Sequence, residues 1–376
     1  MSKSVFSIGL GGAMALVATL VAPAAHADGI HYRYVALDQV PLPAPYTSFS
    51  PSTVIDGRVI GTVFDDSFTI EAVAVYDNGA IAIGPAGAAV VGNELGVIGG
   101  SNPSSQAAIF NRGNTTVVPS LPNALFANVT GLSIDGLALF SSTDTSFTTT
   151  FAYFARGNVT PINFGLPDPV FGAFMNDLGV IGVTKEESFT DQFLHGYRYN
   201  PLTQKSTLLP PFAGDPTDVM VLVQGINDRE EVLGYSFTTF DSPSYHERVG
   251  FWDLFNVFHP FFEETISTQV LLSNASDEIV ITESSDGNSY LVPQPGTRLN
   301  LADIVKNVPS GLLLSEAVGI DNEGDIAGVA NDATFTNFYP FLLVPIGDHD
   351  PFGAVHPCHS IPPAFIRAFE KQHHHK

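Results

Sequence analysis

One pattern decides what this chain can fold into: a turn built on Asn or Asp with Gly, then a short β-branched run, repeated seven times. It reads VIDGRVIG (54–61), GNELGVIG (92–99), SIDGLALF (133–140), MNDLGVIG (175–182), INDREEVLG (226–234), SNASDEIVI (273–281) and IDNEGDIAG (320–328). With Gly57, Gly96, Gly136, Gly179, Glu230, Asp277 and Gly324 as anchors, successive copies lie about 40 to 50 residues apart, the spacing of propeller blades. Each copy carries a second marker downstream, a short aromatic or aliphatic run such as EAVAVY (71–76), FAYFAR (151–156), VGFWD (249–253) or FYPFLLV (338–344). In several copies a polar turn and a third apolar piece follow, as in TTVVPSL (115–121) and STLLPPF (206–212).

Each part has a physical reading. Asn, Asp and Gly tolerate positive φ, so the turn closes a tight hairpin. The run after it (Val59-Ile60, Val97-Ile98, Val180-Ile181, Val232-Leu233) is short and unbroken, as befits a strand buried on both faces. The Gly that ends it allows a bulge or the close approach of a neighbouring backbone. Four strands per copy follow. The expected fold is all-β, a seven-bladed β-propeller of four-stranded antiparallel blades, because a closed ring leaves no repeat with an uncovered face. The segment 31–37 reads as the outermost strand of a copy, and the seventh copy stops at Pro345 without one. The N-terminal strand is therefore expected to complete the last blade.

The copies at 226, 175 and 320 carry a resemblance, seen most fully in Gly225-Ile226-Asn227-Asp228 with Val232-Leu233-Gly234, and Gly319-Ile320-Asp321-Asn322 with Gly324 and Gly328. They resemble the extracellular HAF-type repeat, which runs GINDxGxVVG and then a strand around His-Ala-Phe. The likeness extends over most of 45–345 as degenerate copies, with His195-Gly196-Tyr197 and Val249-Gly250-Phe251 in place of His-Ala-Phe. It implies an exported bacterial repeat protein with a propeller-like fold. The family brings no agreed activity and no functional residues to carry over.

Residues 1–27 read as a secretory signal, with Lys3, an apolar run from Val5 to Val21, and Ala25-His26-Ala27 ahead of cleavage at Ala27/Asp28. The expected organisation is a signal peptide (1–27), a repeat domain (28–345) and a loosely held tail (346–376) with a helical stretch near 360–372. The product is expected to be secreted, extracellular or periplasmic, and not inserted in a membrane. Against 38 acidic side chains stand only 15 Lys and Arg, scattered singly, so phosphate backbones are repelled and nucleic acid is excluded as a partner. An extracellular protein or glycan remains, met by a monomer. Cys358 is the only cysteine, so the core must hold the fold without an internal disulfide.

Residues able to do chemistry are few. The turns carry Asp56, Glu94, Asp135, Asp177, Asp228, Asp277 and Asp321, a set that could bind cations or a polyhydroxylated ligand. Tight turns also need Asp for their own geometry, and that is the expected role. In the tail, His356, Cys358 and His359 are metal-ligand types, yet adjacent Cys358 and His359 suit one tetrahedral site poorly, so incidental residues are expected. No G-x-S-x-G elbow, H-E-x-x-H helix or phosphate loop occurs, and no catalytic residue or cofactor is assigned. The aromatic row of Trp252, Phe255, Phe258, Phe261 and Phe262 is expected between blades. The functional expectation is a non-enzymatic binding or surface-interaction scaffold. The alternative is a propeller hydrolase or lyase acting on an extracellular polymer, which would gather several polar groups at one channel mouth.

Overall fold

The repeated turn closes a hairpin wherever the structure describes it. The computed structural model describes residues 29–162, 170–186, 193–264, 268–274, 276, 278–283 and 287–346. Asp56 (φ +50°) and Gly57 (φ +70°) join Ser48–Ile55 to Arg58–Phe64 in a two-residue turn. Later copies have a longer turn, with positive φ at Gly96, Gly136, Gly179, Glu230 and Gly324.

Blade 1 pairs Ser48–Ile55, Arg58–Phe64, Glu71–Asp77 and Ala80–Ala86 in chain order, antiparallel throughout. Blades 2 to 6 repeat this order over 88–117, 124–161, 170–209, 220–264 and 268–300. Blade 7 takes Leu312–Ile320, Ile326–Asp332 and Phe338–Pro345 from the end of the chain and Tyr32–Ala36 from its beginning. Tyr32 lies opposite Pro345 and Ala36 opposite Phe341, antiparallel. The fold is a seven-bladed β-propeller, closed by its N-terminal strand. Blade 7 also has a strand beyond the expected four: Val305–Lys306 runs parallel to Tyr32–Ala36 on its outer side. It follows a single helical turn, Leu301–Ile304, capped by Asn300, and a two-residue strand leaves no period in a sequence.

The second strand of each blade is the most deeply set, as the unbroken apolar runs required. Val232–Phe237 is buried along its whole length. Blade faces pack on one another: Leu209, Val221, Val223, Val232, Trp252 and Phe258 form one core between blades 4 and 5. The aromatic row divides accordingly. Trp252, Phe258 and Phe261 are buried, with the Trp252 indole N–H donating to the Pro210 carbonyl at 2.7 Å, whereas Phe255 stands exposed at a turn tip. The run-ending glycines do both things expected of them. A Cβ on Gly234 would fall 2.0 Å from the Leu222 carbonyl oxygen, and the partner strand bulges between Val223 and Gly225. Gly61 and Gly328 sit the same way beside Ser50 and Glu316.

Strands alternate in direction within a blade, so the ring has two unlike ends. Hairpins between the innermost and second strands, and between the third and outermost, fall at one end, the turn end. Loops between second and third strands fall at the other, with the crossovers to the next blade. Segment 1–27 and the tail from 347, including its expected helix and His356, Cys358 and His359, lie outside the described residues, as does Asp277.

Candidate functional site

At the turn end, the first residue of each long turn holds the loop together. Asn93 Oδ1 accepts from the N–H of Leu95 and Val97, both at 3.1 Å. Asn227 does the same for Arg229 and Glu231, Asn274 for Ser276 and Glu278, and Asp321 for Glu323 and Asp325. Ser133 and Asn176 play this part toward Leu137 and Val180. All six are buried. Three of them also reach the next blade: Asn93 Nδ2 donates to the Ser133 carbonyl at 3.1 Å, Asn176 Nδ2 to that of Asn227 at 2.8 Å, and Asn274 Nδ2 to that of Asp321 at 3.1 Å. Asn227 Nδ2 instead donates to Glu231 Oε2 within its own turn. Across the ring closure, the Gly57 N–H donates to Asp321 Oδ2 at 2.8 Å.

This corrects in part the sequence reading of the repeated acids as turn formers. Asp56 has that role, at φ +50° in the two-residue turn of blade 1, and Asp321 has it at the first position of its longer turn. Glu94, Asp177 and Asp228 follow the turn-forming position and, with Asp56, face the ring axis. Asp135 is one residue further along and lies in a separate depression between blades 3 and 4. The sequence carries a signal for the turn formers in the run Asn93, Ser133, Asn176, Asn227, Asn274, Asp321, which the Asp and Glu residues, standing at unequal offsets from it, obscure.

The facing acids line a depression of about 220 Å³ at the mouth of the channel, bounded by residues of every blade but the third. One carboxylate oxygen each from Glu94, Asp177 and Asp228 lies within 4.8 Å of the other two. Asp56 and Asp321 share the wall, with Asn176, Asn227, Asn274 and Asn322; no Lys, Arg or His belongs to it among the described residues. Burial, then the charges of Asp228 and Glu94, pushes the Asp177 carboxyl up to about 7, against a backbone N–H of Glu94 that favours its ionised form. Burial chiefly pushes Asp321 up to about 7 as well, opposed by the Gly57 N–H. Asp325, beside it, rises to about 6 through burial and the charge of Glu323.

A second group of metal-ligand types, Asp215, Asp218 and His246, sits at the crossover end of blade 5. There a cation is already built in. Arg248 Nη1 donates to Asp218 Oδ1 at 2.6 Å and to His246 Nε2 at 2.8 Å, while Nη2 donates to Asp215 Oδ2 at 2.9 Å and Glu263 Oε2 at 3.0 Å. Its guanidinium lies over the Phe212 ring at 5.2 Å. Ser236 Oγ donates to the other oxygen of Asp218 at 2.9 Å. The knot ties the loops of this blade together, with the Arg248 guanidinium as the cation that the carboxylates hold.

The crossover end also carries a motif that was not read in the sequence: Asp65-Asp66-Ser67-Phe68-Thr69, Asp144-Thr145-Ser146-Phe147-Thr148 and Asp332-Ala333-Thr334-Phe335-Thr336. Each forms the loop between second and third strands, and each places Phe at positive φ, +55°, +60° and +54°. The leading Asp accepts the backbone N–H of the Thr that ends the motif, at 2.8, 3.0 and 3.1 Å.

No family model matches the chain, and no curated protein matches it. Solved structures do. The chain is similar to a prolyl endopeptidase at 13% identity and a TM-score of 0.51, over 81% of this chain and 50% of that one. It thus spans about half the length of that enzyme. It is similar to virginiamycin B lyase from Staphylococcus aureus at 11% identity and a TM-score of 0.50, over 83% of this chain and 99% of that one. The β-propeller domain of the Trilobed protease from Pyrococcus furiosus, described as having an open velcro topology, matches at 10% identity and a TM-score of 0.51, over 79% of this chain and 94% of that domain. These likenesses establish the fold alone.

Proposed function

We propose that this chain is an exported propeller of the HAF-repeat type that binds its ligand at the acidic channel mouth without transforming it, the ligand being a hard divalent cation or a group presented through one. The observation that carries this reading is convergence. Glu94, Asp177 and Asp228 come from blades 2, 4 and 5, yet their oxygens meet within 4.8 Å over an axial depression. Donors that are oxygen alone match calcium-class ions. The described wall offers carboxylates and amides with no Lys, Arg or His, the donor set of a hard-cation site, which supports binding. Polar groups gathered at one mouth are also what the hydrolase or lyase alternative calls for, and a cleavage assay separates the two. A glycan or an extracellular protein would meet the propeller through that ion.

Thermal melting of the mature protein, stripped with EDTA and titrated with calcium or magnesium at pH 7.5, tests the reading. Calcium is expected to raise the melting temperature by several degrees, and the paired change Asp177→Asn with Asp228→Asn to abolish the rise. Identical melting with and without either ion would overturn the reading. So would cleavage of an extracellular polymer that the same pair of substitutions removes.

A further inference from the structure

The end of the ring opposite the mouth has a chemistry of its own. Phe68, Phe147 and Phe335 are 73, 79 and 55% exposed, and Phe240, in the corresponding loop of blade 5, is also exposed. Strand alternation brings all four to the crossover end, on blades 1, 3, 7 and 5. The four rings stand singly on separate blades of one end, so they act as one interaction surface only toward a partner long enough to span them. The backbone strengthens the point. Positive φ at this loop position suits Gly or Asn, and a bulky side chain holds it only at a cost in stability. Three loops accept that cost with the same residue, while blade 2 has Ser105 there, at φ +57°.

The charge around these rings selects the partner. Asp65 is held down to about 2, first by the Ser67 hydroxyl and the Ile70 N–H, and Asp332 is held well below the usual carboxylate range by Asn337 and Thr334. Both stay ionised beside their Phe, and Asp66 and Asp241 add to them. The guanidinium groups at this end are engaged, Arg248 by Asp215, Asp218 and Glu263, and Arg298 by Glu283. Anionic lipid, nucleic acid and a second copy of the same face are thereby repelled.

We propose that the crossover end docks a cationic polypeptide with exposed apolar side chains, and that Phe68, Phe147, Phe240 and Phe335 are its anchors. The surface is separate from the channel mouth, so the two readings stand or fall independently.

The test uses the mature protein and three synthetic peptides of equal length, alternating Lys/Leu, Lys/Ser and Glu/Leu, with fluorescence anisotropy as readout. The Lys/Leu peptide is expected to bind at least about tenfold tighter than the other two. The triple change Phe68→Asn, Phe147→Asn and Phe335→Asn should reduce that binding at least about tenfold while raising the melting temperature, since Asn suits the positive-φ position. A structural role would lower it. The mouth substitutions should leave peptide binding unchanged. Equal binding of Lys/Leu and Lys/Ser peptides would overturn the proposal, as would full binding by the triple variant. So would tighter association with phosphatidylcholine vesicles than with peptide, or a sedimenting dimer that the triple variant dissociates.

Discussion

Asp177 sits where its turn does not require an acid. The turn is held by Asn176, and Asp177 gives its backbone N–H to Asp228 Oδ1 at 3.0 Å while its own carboxyl is crowded by two others. Its folded-state pKa, near 7, lies above the unfolded value near 3.9, so the folded protein holds more protons between those limits and loses stability as pH rises through them. Asp321 has the same sign and Asp325 follows over a window ending near 6. Each contributes at most about 1.4 kcal/mol per pH unit within its window. In EDTA, the melting temperature is therefore expected to fall between about pH 4 and 7. Asp177→Asn should raise it by about 2–4 °C at pH 8 and by almost nothing at pH 4. A flat profile, or a variant that melts lower at pH 8, would show that the acids do not repel one another. The acids were visible in the sequence, and their convergence was not. Which side of the turn a residue faces depends on whether it is first or second in the turn, a distinction that degenerate copies blur.

Strands and hairpins were the most legible scale. Asn/Asp with Gly gave the inner hairpins, the unbroken Val-Ile runs gave the buried second strands, and the closing Gly of the run gave the bulge opposite Gly234. The loops between second and third strands were not read, because Asp-x-Ser/Thr-Phe-Thr lacks the Gly or Asn that announces positive φ. The sequence nearly repeats it again as Glu186-Glu187-Ser188-Phe189-Thr190, of which 187–190 lie outside the described residues. Tyr32 tests the closing strand. It is fully buried among Val280, Leu291, Leu314 and Phe341, yet its hydroxyl finds no partner among the described residues. Burial, then Glu278, Asp325 and Asp321, drives its pKa well above 10. Tyr32→Phe, which removes the orphaned hydroxyl and keeps the ring, is expected to leave stability unchanged or raise it. Tyr32→Ala should cost about 3–5 kcal/mol in chemical denaturation. Equal losses for the two would mean that the hydroxyl, and not the ring, secures the strand.

For the whole molecule, the count of seven and the closure were both readable, because turn and aromatic markers stay in phase and the two ends are complementary. The fifth strand of blade 7 was not, being too short to have a period. Deleting 28–38 uncovers the edge of the last strand from Pro340 to Pro345, and an open strand edge recruits other chains. The shortened protein is expected to melt well below the intact one and to form oligomers by light scattering. A monomer with unchanged melting would mean that the edge is covered by something else. The pairing of Tyr32–Ala36 with Phe338–Pro345 also sets an order of events. Of the strands of the ring, the first to be synthesised is the one whose partner is synthesised last. The ring cannot close before Phe338–Pro345 is made, so six blades must wait, with blade 7 open, for that strand. Folding of the closed ring is thereby deferred until its last strand has been made.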